Sequence, residues 1–246
     1  MSNAVVHFEI MGPRGEELGT FYTDLFGWKG EWVSEMSYSI IDTFAGEGIN
    51  GGIGGSQDGS NSLTFYVEAA DLQLALDKAV TLGGKIVQEV TEIPNVVTFA
   101  KFADPEGNVI GLVTSAVPGQ EAPGVSAGTN PAIGWFEVLG QDGLALQTFY
   151  KELFGWTIKG SAGMPSYGEV EAVGAGIPGA VGSVPQGQPN VTVYAQVDDV
   201  QKWLEKAELL GAKTVLEPFN PTPDTTVAAF KDPQENIFGL YRYVKS

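Results

Sequence analysis

Residues 4–11 alternate, with Phe8 and Ile10 on one face and His7 and Glu9 on the other. A period of two predicts a strand with one buried face. Leu18, Phe21, Tyr22, Leu25 and Phe26 then fall on one stripe at helical spacing. Gly27 follows as a helix stop, because glycine enters the left-handed region without a Cβ penalty. Short apolar runs predict strands near 28–33, 38–44 and 49–53. The plan then restarts. Residues 63–68 read as a strand, and Asp71 stands where an N-cap would, ahead of Leu72, Leu76, Ala79 and Val80. Gly83-Gly84 ends that helix, and strands follow near 85–89, 97–102 and 108–113. The unit is strand, helix and three strands.

The whole pattern recurs. HFEIMGPRGEELGTFYTDLFGW (7–28) aligns with WFEVLGQDGLALQTFYKELFGW (135–156) at an offset of 128 residues. The same offset links Tyr66 to Tyr194, Asp71 to Asp199, Gly83 to Gly211, Asp104-Pro105 to Asp232-Pro233, and Asn108 to Asn236. Self-similarity without a gap predicts a duplication. Residues 1–114 and 131–246 are the expected domains. The Pro-, Gly-, Ala- and Ser-rich stretch 115–130, which lacks periodic apolar positions, is the expected linker. Each domain uses the strand–helix–three-strand unit twice. The predicted class is α+β, with mixed sheets and helices on one face.

Composition narrows the chemistry. The 43% hydrophobic content supplies a packed core, and 33 glycines with 14 prolines favour strands and turns over a helical bundle. No run of roughly 18 apolar residues spans a membrane. Thirteen basic against 30 acidic side chains give a net charge of −17. Nucleic acid and anionic membrane surfaces are therefore not expected partners. Cysteine is absent, which excludes disulfides, thiolate metal sites and a cysteine nucleophile. MSNAVVHFEI lacks the basic and apolar regions of a secretory signal, so a cytoplasmic protein is expected.

The segments HFEI…LGTFYTDLFGW, FYVEAADL…LGGKI and FADPEGNVIGLV, with their second-half counterparts ending in FKDPQENIFGLY, resemble the vicinal oxygen chelate superfamily. That group includes glyoxalase I, bleomycin-resistance proteins and extradiol dioxygenases. The resemblance covers nearly all of the chain except the linker. It implies that two units per domain curl into an open cup of mixed sheet with helices outside, and that domains pair within a chain or across a homodimer. In the superfamily, four inward side chains hold a divalent metal. The corresponding positions here are His7, the run 49–55, Thr64 and Gly111 in the first half. In the second they are Trp135, the run 179–183, Thr192 and Gly239.

A catalytic divalent ion generally takes three or four imidazole, carboxylate or thiolate donors. One histidine and no cysteine in the whole chain exclude a two-histidine, one-carboxylate site, while an all-oxygen Mg²⁺ or Ca²⁺ site stays open. No metal or other cofactor is expected. His7 is read first as a structural histidine and second as a hydrogen-bond partner for a ligand. Glu9 and Glu137 are the candidate catalytic or ligand-binding carboxylates, because alternation turns both inward. Such a group must be paired, hydrogen-bonded or protonated. Trp32, Tyr38, Thr64, Tyr66, Trp135, Tyr167, Thr192 and Tyr194 are the candidate ligand-binding residues, set against a core-packing reading. Aromatic walls with few polar groups suit a small, partly apolar molecule. Phe21, Phe26, Phe149, Phe154, Trp28 and Trp156 read as structural. The Gly-rich run 49–60 lacks a P-loop lysine and reads as strand and turn, its glycines leaving room beside the cup. DPEGN and DPQEN read as turns.

The leading expectation is a binding protein for a small organic molecule, acting in sequestration, sensing or resistance without metal. The alternatives are a metal-independent lyase or isomerase with Glu9 or Glu137 as base and Tyr66 or Tyr194 as donor, an interaction module with filled cups, and a metal-dependent glyoxalase or dioxygenase, which the missing ligands oppose.

Overall fold

The computed structural model describes residues 3–94, 96–114, 125–161, 164–183 and 188–244. The first repeat contains β1 (Val5–Gly12), α1 (Gly15–Phe26), β2 (Lys29–Val33), β3 (Tyr38–Asp42) and β4 (Asn50–Gly55). It continues with β5 (Ser62–Glu68), α2 (Leu72–Thr81), β6 (Lys85–Ile93), β7 (Val97–Ala103) and β8 (Val109–Val113). The second repeat runs β9 (Ile133–Gly140), α3 (Gly143–Phe154), β10 (Ile158–Ser161), β11 (Met164–Val170) and β12 (Gly179–Ser183). It ends with β13 (Asn190–Gln196), α4 (Val200–Leu209), β14 (Lys213–Thr222), β15 (Thr225–Lys231) and β16 (Ile237–Tyr243). The strands form two open eight-stranded sheets, ordered β2-β3-β4-β1-β5-β8-β7-β6 and β10-β11-β12-β9-β13-β16-β15-β14. Both are mixed. β1 pairs parallel with β4 and β5 with β8, whereas β2, β3 and β4 pair antiparallel. This is the α+β plan that the periodicity predicts.

Local chemistry explains the helix ends. Asp71 accepts a hydrogen bond from Leu74 N at 2.9 Å, and Asp199 accepts one from Lys202 N at 3.2 Å, as side-chain caps do. Gly27 ends α1 at φ 74°, donating its N–H to Thr23 O. Among the described residues, no helix is long and apolar enough to cross a membrane.

By backbone proximity the chain divides into two compact units. One comprises Met1–Val6, Thr64–Gly124 and Trp135–Val191, and the other His7–Leu63, Val125–Gly134 and Thr192–Ser246. Each holds one strand–helix–three-strand segment from each repeat. In the first unit, Phe102 of β7 packs on Phe149 and Phe154 of α3 at ring separations of 6.1 and 6.2 Å. Buried Tyr150 donates its hydroxyl to Asp104 at 3.0 Å. Lys78 Nζ donates to Leu153 O, and Trp156 Nε1 donates to Asn3 O.

The second unit repeats these bonds with its own residues. Phe21 packs on Phe230, Tyr22 donates to Asp232 at 3.0 Å, Lys206 donates to Leu25 O, and Trp28 Nε1 donates to Pro131 O. The same side chains recur at the same offset because the same core is built twice.

Asp104 also accepts from the backbone N–H of Glu106 and Asn108 and from Asn108 Nδ2, so DPEGN is a turn closed by its own first residue. Burial outweighs these hydrogen bonds and raises the Asp104 and Asp232 pKa values above the ordinary carboxylate value. Of the expected linker, residues 115–124 lie outside the described residues. Beyond them, Ser126 Oγ donates to Asp42, and Asn130 Nδ2 donates to Gly27 O at 2.8 Å.

Candidate functional site

On β1, Phe8 and Ile10 are wholly buried among apolar side chains, and His7 and Glu9 turn to the opposite face. Register then decides what they meet. Glu9 lies opposite Gly52 of β4, and Tyr38 of β3 lies opposite Gly54. Residues 52 and 54 share a face, so Tyr38 and Glu9 share it too. The Tyr38 hydroxyl is hydrogen-bonded to the Glu9 side chain, and His7 Nε2 lies 3.5 Å from the same hydroxyl. Burial, with Glu9's negative charge adding to it, pushes the Tyr38 phenol well above its usual pKa. The phenol is therefore protonated near neutrality and serves as a donor.

Each unit has its own version of this arrangement. In the unit that contains β9, β11 and β12, Tyr167 lies opposite Gly182, and Glu137 lies opposite Ala180. The Tyr167 hydroxyl donates to Glu137 Oε1 at 2.5 Å. Trp135, one turn of the alternation earlier, is hydrogen-bonded to the Tyr167 hydroxyl. Indole nitrogen can only donate. The chain of donation therefore has one direction, from Trp135 N–H to Tyr167 oxygen and from Tyr167 O–H to Glu137. Burial, followed by the charge of Glu137, raises the Tyr167 pKa. Trp135 thus occupies the repeat position of His7 and makes the equivalent contact.

The Gly-rich strand β4 explains how Tyr38 fits. A Cβ on Gly52 would come within 1.8 Å of the Tyr38 hydroxyl oxygen, and one on Gly51 within 2.4 Å of the Phe8 ring. The space left by these glycines is therefore filled by rings of the protein itself. The same logic governs Gly111. Its Cβ would sit 2.3 Å from the Tyr66 ring, and the equivalent on Gly239 would sit 2.1 Å from the Tyr194 ring.

These facts test the superfamily's metal positions. The fourth position in each half is a glycine covered by tyrosine. At the third, buried Thr64 donates its hydroxyl to Val109 O at 2.6 Å, and Thr192 is also buried. At the first, His7 and Trp135 meet tyrosine hydroxyls. Among the described residues, no group of three or more His, Cys, Asp or Glu side chains stands together as a ligand set. These residues do not fit a tightly held transition ion.

Of the candidate residues, the structure brings together His7, Glu9 and Tyr38 in one group and Trp135, Glu137 and Tyr167 in another. Tyr66 and Tyr194 cover their glycines. Trp32 pairs with Ser39, one residue out of phase with Tyr38, so the register does not bring it to the Glu9 group. Sequence reading missed Lys101 and Phe99. Lys101 Nζ lies 5.5 Å from the Tyr66 ring centroid, and the Phe99 ring meets Tyr66 edge-on at 6.4 Å. Alternation with buried Ala100 and Phe102 is the signal that could have found them. A separate cleft of about 550 Å³ has Glu47, Gln196, Asp198, Arg242 and Tyr243 in its lining, and none of the candidate residues.

No protein-family model matches the chain. The anthracycline biosynthesis protein DnrV of Streptomyces peucetius is 26% identical over 258 residues, covering 95% of this chain and 90% of that protein. Among solved structures, the Mn(II)-bound glyoxalase from Novosphingobium aromaticivorans superposes with a TM-score of 0.70 at 14% identity, covering 100% of this chain and 84% of its own. The 2,3-dioxygenase LapB from Pseudomonas sp. KL28 superposes with a TM-score of 0.64 at 13% identity, covering 99% and 94%. The duplicated motifs, the sheet order and these likenesses agree, and the chain is a tandem two-domain protein of the vicinal oxygen chelate superfamily.

Proposed function

We propose that this protein binds a small organic molecule without a metal, on the sheet faces that carry the tyrosine–glutamate pairs. The carrying observation is the one-way hydrogen-bond chain from Trp135 through Tyr167 to Glu137. A residue at a superfamily metal position is turned to orienting a phenol, and the carboxylate is already an acceptor. A pre-oriented phenol and carboxylate beside aromatic rings suit recognition of a partly apolar ligand with one or two polar groups. The relationship to DnrV, whose name places it in anthracycline biosynthesis, supports a ring-containing ligand. A carboxylate held by a phenol is better placed for recognition than for proton abstraction, so binding is preferred to the general-base alternative.

Two measurements on protein purified without chelator test this reading. Elemental analysis is expected to find no stoichiometric zinc, iron or manganese, and a panel of aromatic metabolites is expected to contain members that raise the melting temperature. Stoichiometric metal whose removal abolishes ligand binding would overturn it.

A further inference from the structure

The two repeats differ at one row of their sheets, and the difference concerns charge. On β7, Ala100 and Phe102 are wholly buried, and Phe102 meets Phe149 and Phe154 of α3. Phe99 and Lys101 therefore project from the face away from that helix. Lys101 lies directly opposite Gly111 of β8, and Gly111 is in register with Tyr66 of β5. The row reads lysine, glycine, tyrosine, with the tyrosine ring lying over the glycine and the ammonium 5.5 Å from its centroid. Phe99 closes the row edge-on. The equivalent row in the second repeat is Ala229, Gly239 and Tyr194. The tyrosine-over-glycine packing is kept, but alanine stands where the lysine was, and Val227 stands where Phe99 was.

Packing alone does not call for this lysine, because the second repeat holds its tyrosine without one. A half-buried ammonium on an aromatic floor is also uncommon in a chain with only 13 basic side chains against 30 acidic ones. An ammonium has three donors, and lying over a ring face consumes none of them, so it can serve more than one acceptor at once. A ring bearing a carboxylate or phenolate matches this row. Its plane packs against Phe99 and Tyr66, and its anionic oxygen takes a charge-assisted hydrogen bond from Lys101.

We infer that Lys101, Tyr66 and Phe99 form a subsite for an anionic aromatic group, and that the second repeat's row takes an uncharged one. The inference rests on the metal-free binding reading and names the ligand class for the first repeat.

Benzoate and benzamide, alike in shape and different in charge, are the probes. Each is titrated into the full chain and followed by ligand-observed NMR. Wild type is expected to bind benzoate about tenfold more tightly than benzamide. Lys101→Met removes that preference and leaves benzamide binding unchanged, and Lys101→Arg keeps it. Thermal melts confirm that both variants fold, and the arginine variant carries the test if the methionine variant does not. Equal affinity of wild type for the two probes, or a preference that survives in Lys101→Met, overturns the inference and leaves the binding reading standing. Binding of neither probe to wild type overturns the inference, and failure of the whole aromatic panel overturns the reading.

Discussion

Two buried aspartates show how a single group can hold a turn and still cost stability. Asp104 and Asp232 each close a turn and accept a phenol, yet desolvation keeps their folded pKa values above the ordinary 3.8. Between 3.8 and the raised folded value, the native state binds more protons than the unfolded chain. Stability contributed by these groups is therefore present at low pH and is lost as pH rises through that window, by at most about 1.4 kcal/mol per pH unit for each carboxylate. Urea melts of wild type and Asp104→Asn should show the wild-type advantage shrinking as pH rises from about 4. An advantage that grows over the same range would contradict the sign. The tyrosines at Glu9 and Glu137 work differently. Their raised pKa values keep them protonated, and hence donating, across the physiological range.

At the scale of the element, the glycines in β4 and β8 are seats for neighbouring rings. Gly111 stands at the superfamily's fourth metal position and carries the Tyr66 ring. Restoring a carboxylate there by Gly111→Glu requires the space that the ring occupies. Overpacking of this kind costs about 1–3 kcal/mol. Thermal denaturation should show that loss in Gly111→Glu and a partial recovery when Tyr66→Ala is added. A Gly111→Glu variant as stable as the parent would show that the ring does not depend on the glycine. Cross-strand register makes this argument possible, since Tyr66, Gly111 and Lys101 are far apart in sequence but adjacent on three neighbouring strands.

Across the molecule, one set of core contacts is built twice, once in each compact unit, from one segment of each repeat. The Tyr150–Asp104 and Tyr22–Asp232 bonds are equivalents that share no partner. Tyr22→Phe and Tyr150→Phe should each cost about 1–3 kcal/mol, because each leaves a buried carboxylate short of a donor. Without shared partners, the double variant should lose the sum of the two to within about 0.5 kcal/mol in urea denaturation. A marked departure from additivity would reveal coupling that the hydrogen bonds do not carry.

Much of this was legible in the chain itself. Alternation separated Phe8 and Ile10 from His7 and Glu9, helical spacing found the stripe from Leu18 to Phe26, and the offset of 128 residues exposed the duplication. One histidine and no cysteine bounded the metal chemistry before any geometry was available. Periodicity reports which face of its own element a side chain leaves from, and that is a local property of backbone geometry. It does not say what waits on that face. Only the register of β3 on β4 and of β4 on β1 joined Tyr38 to Glu9, and only the packing of rings over glycines filled the space that composition left open. Partners in a hydrogen bond or a packed row are chosen by strands distant in sequence, so the tertiary structure alone decided them.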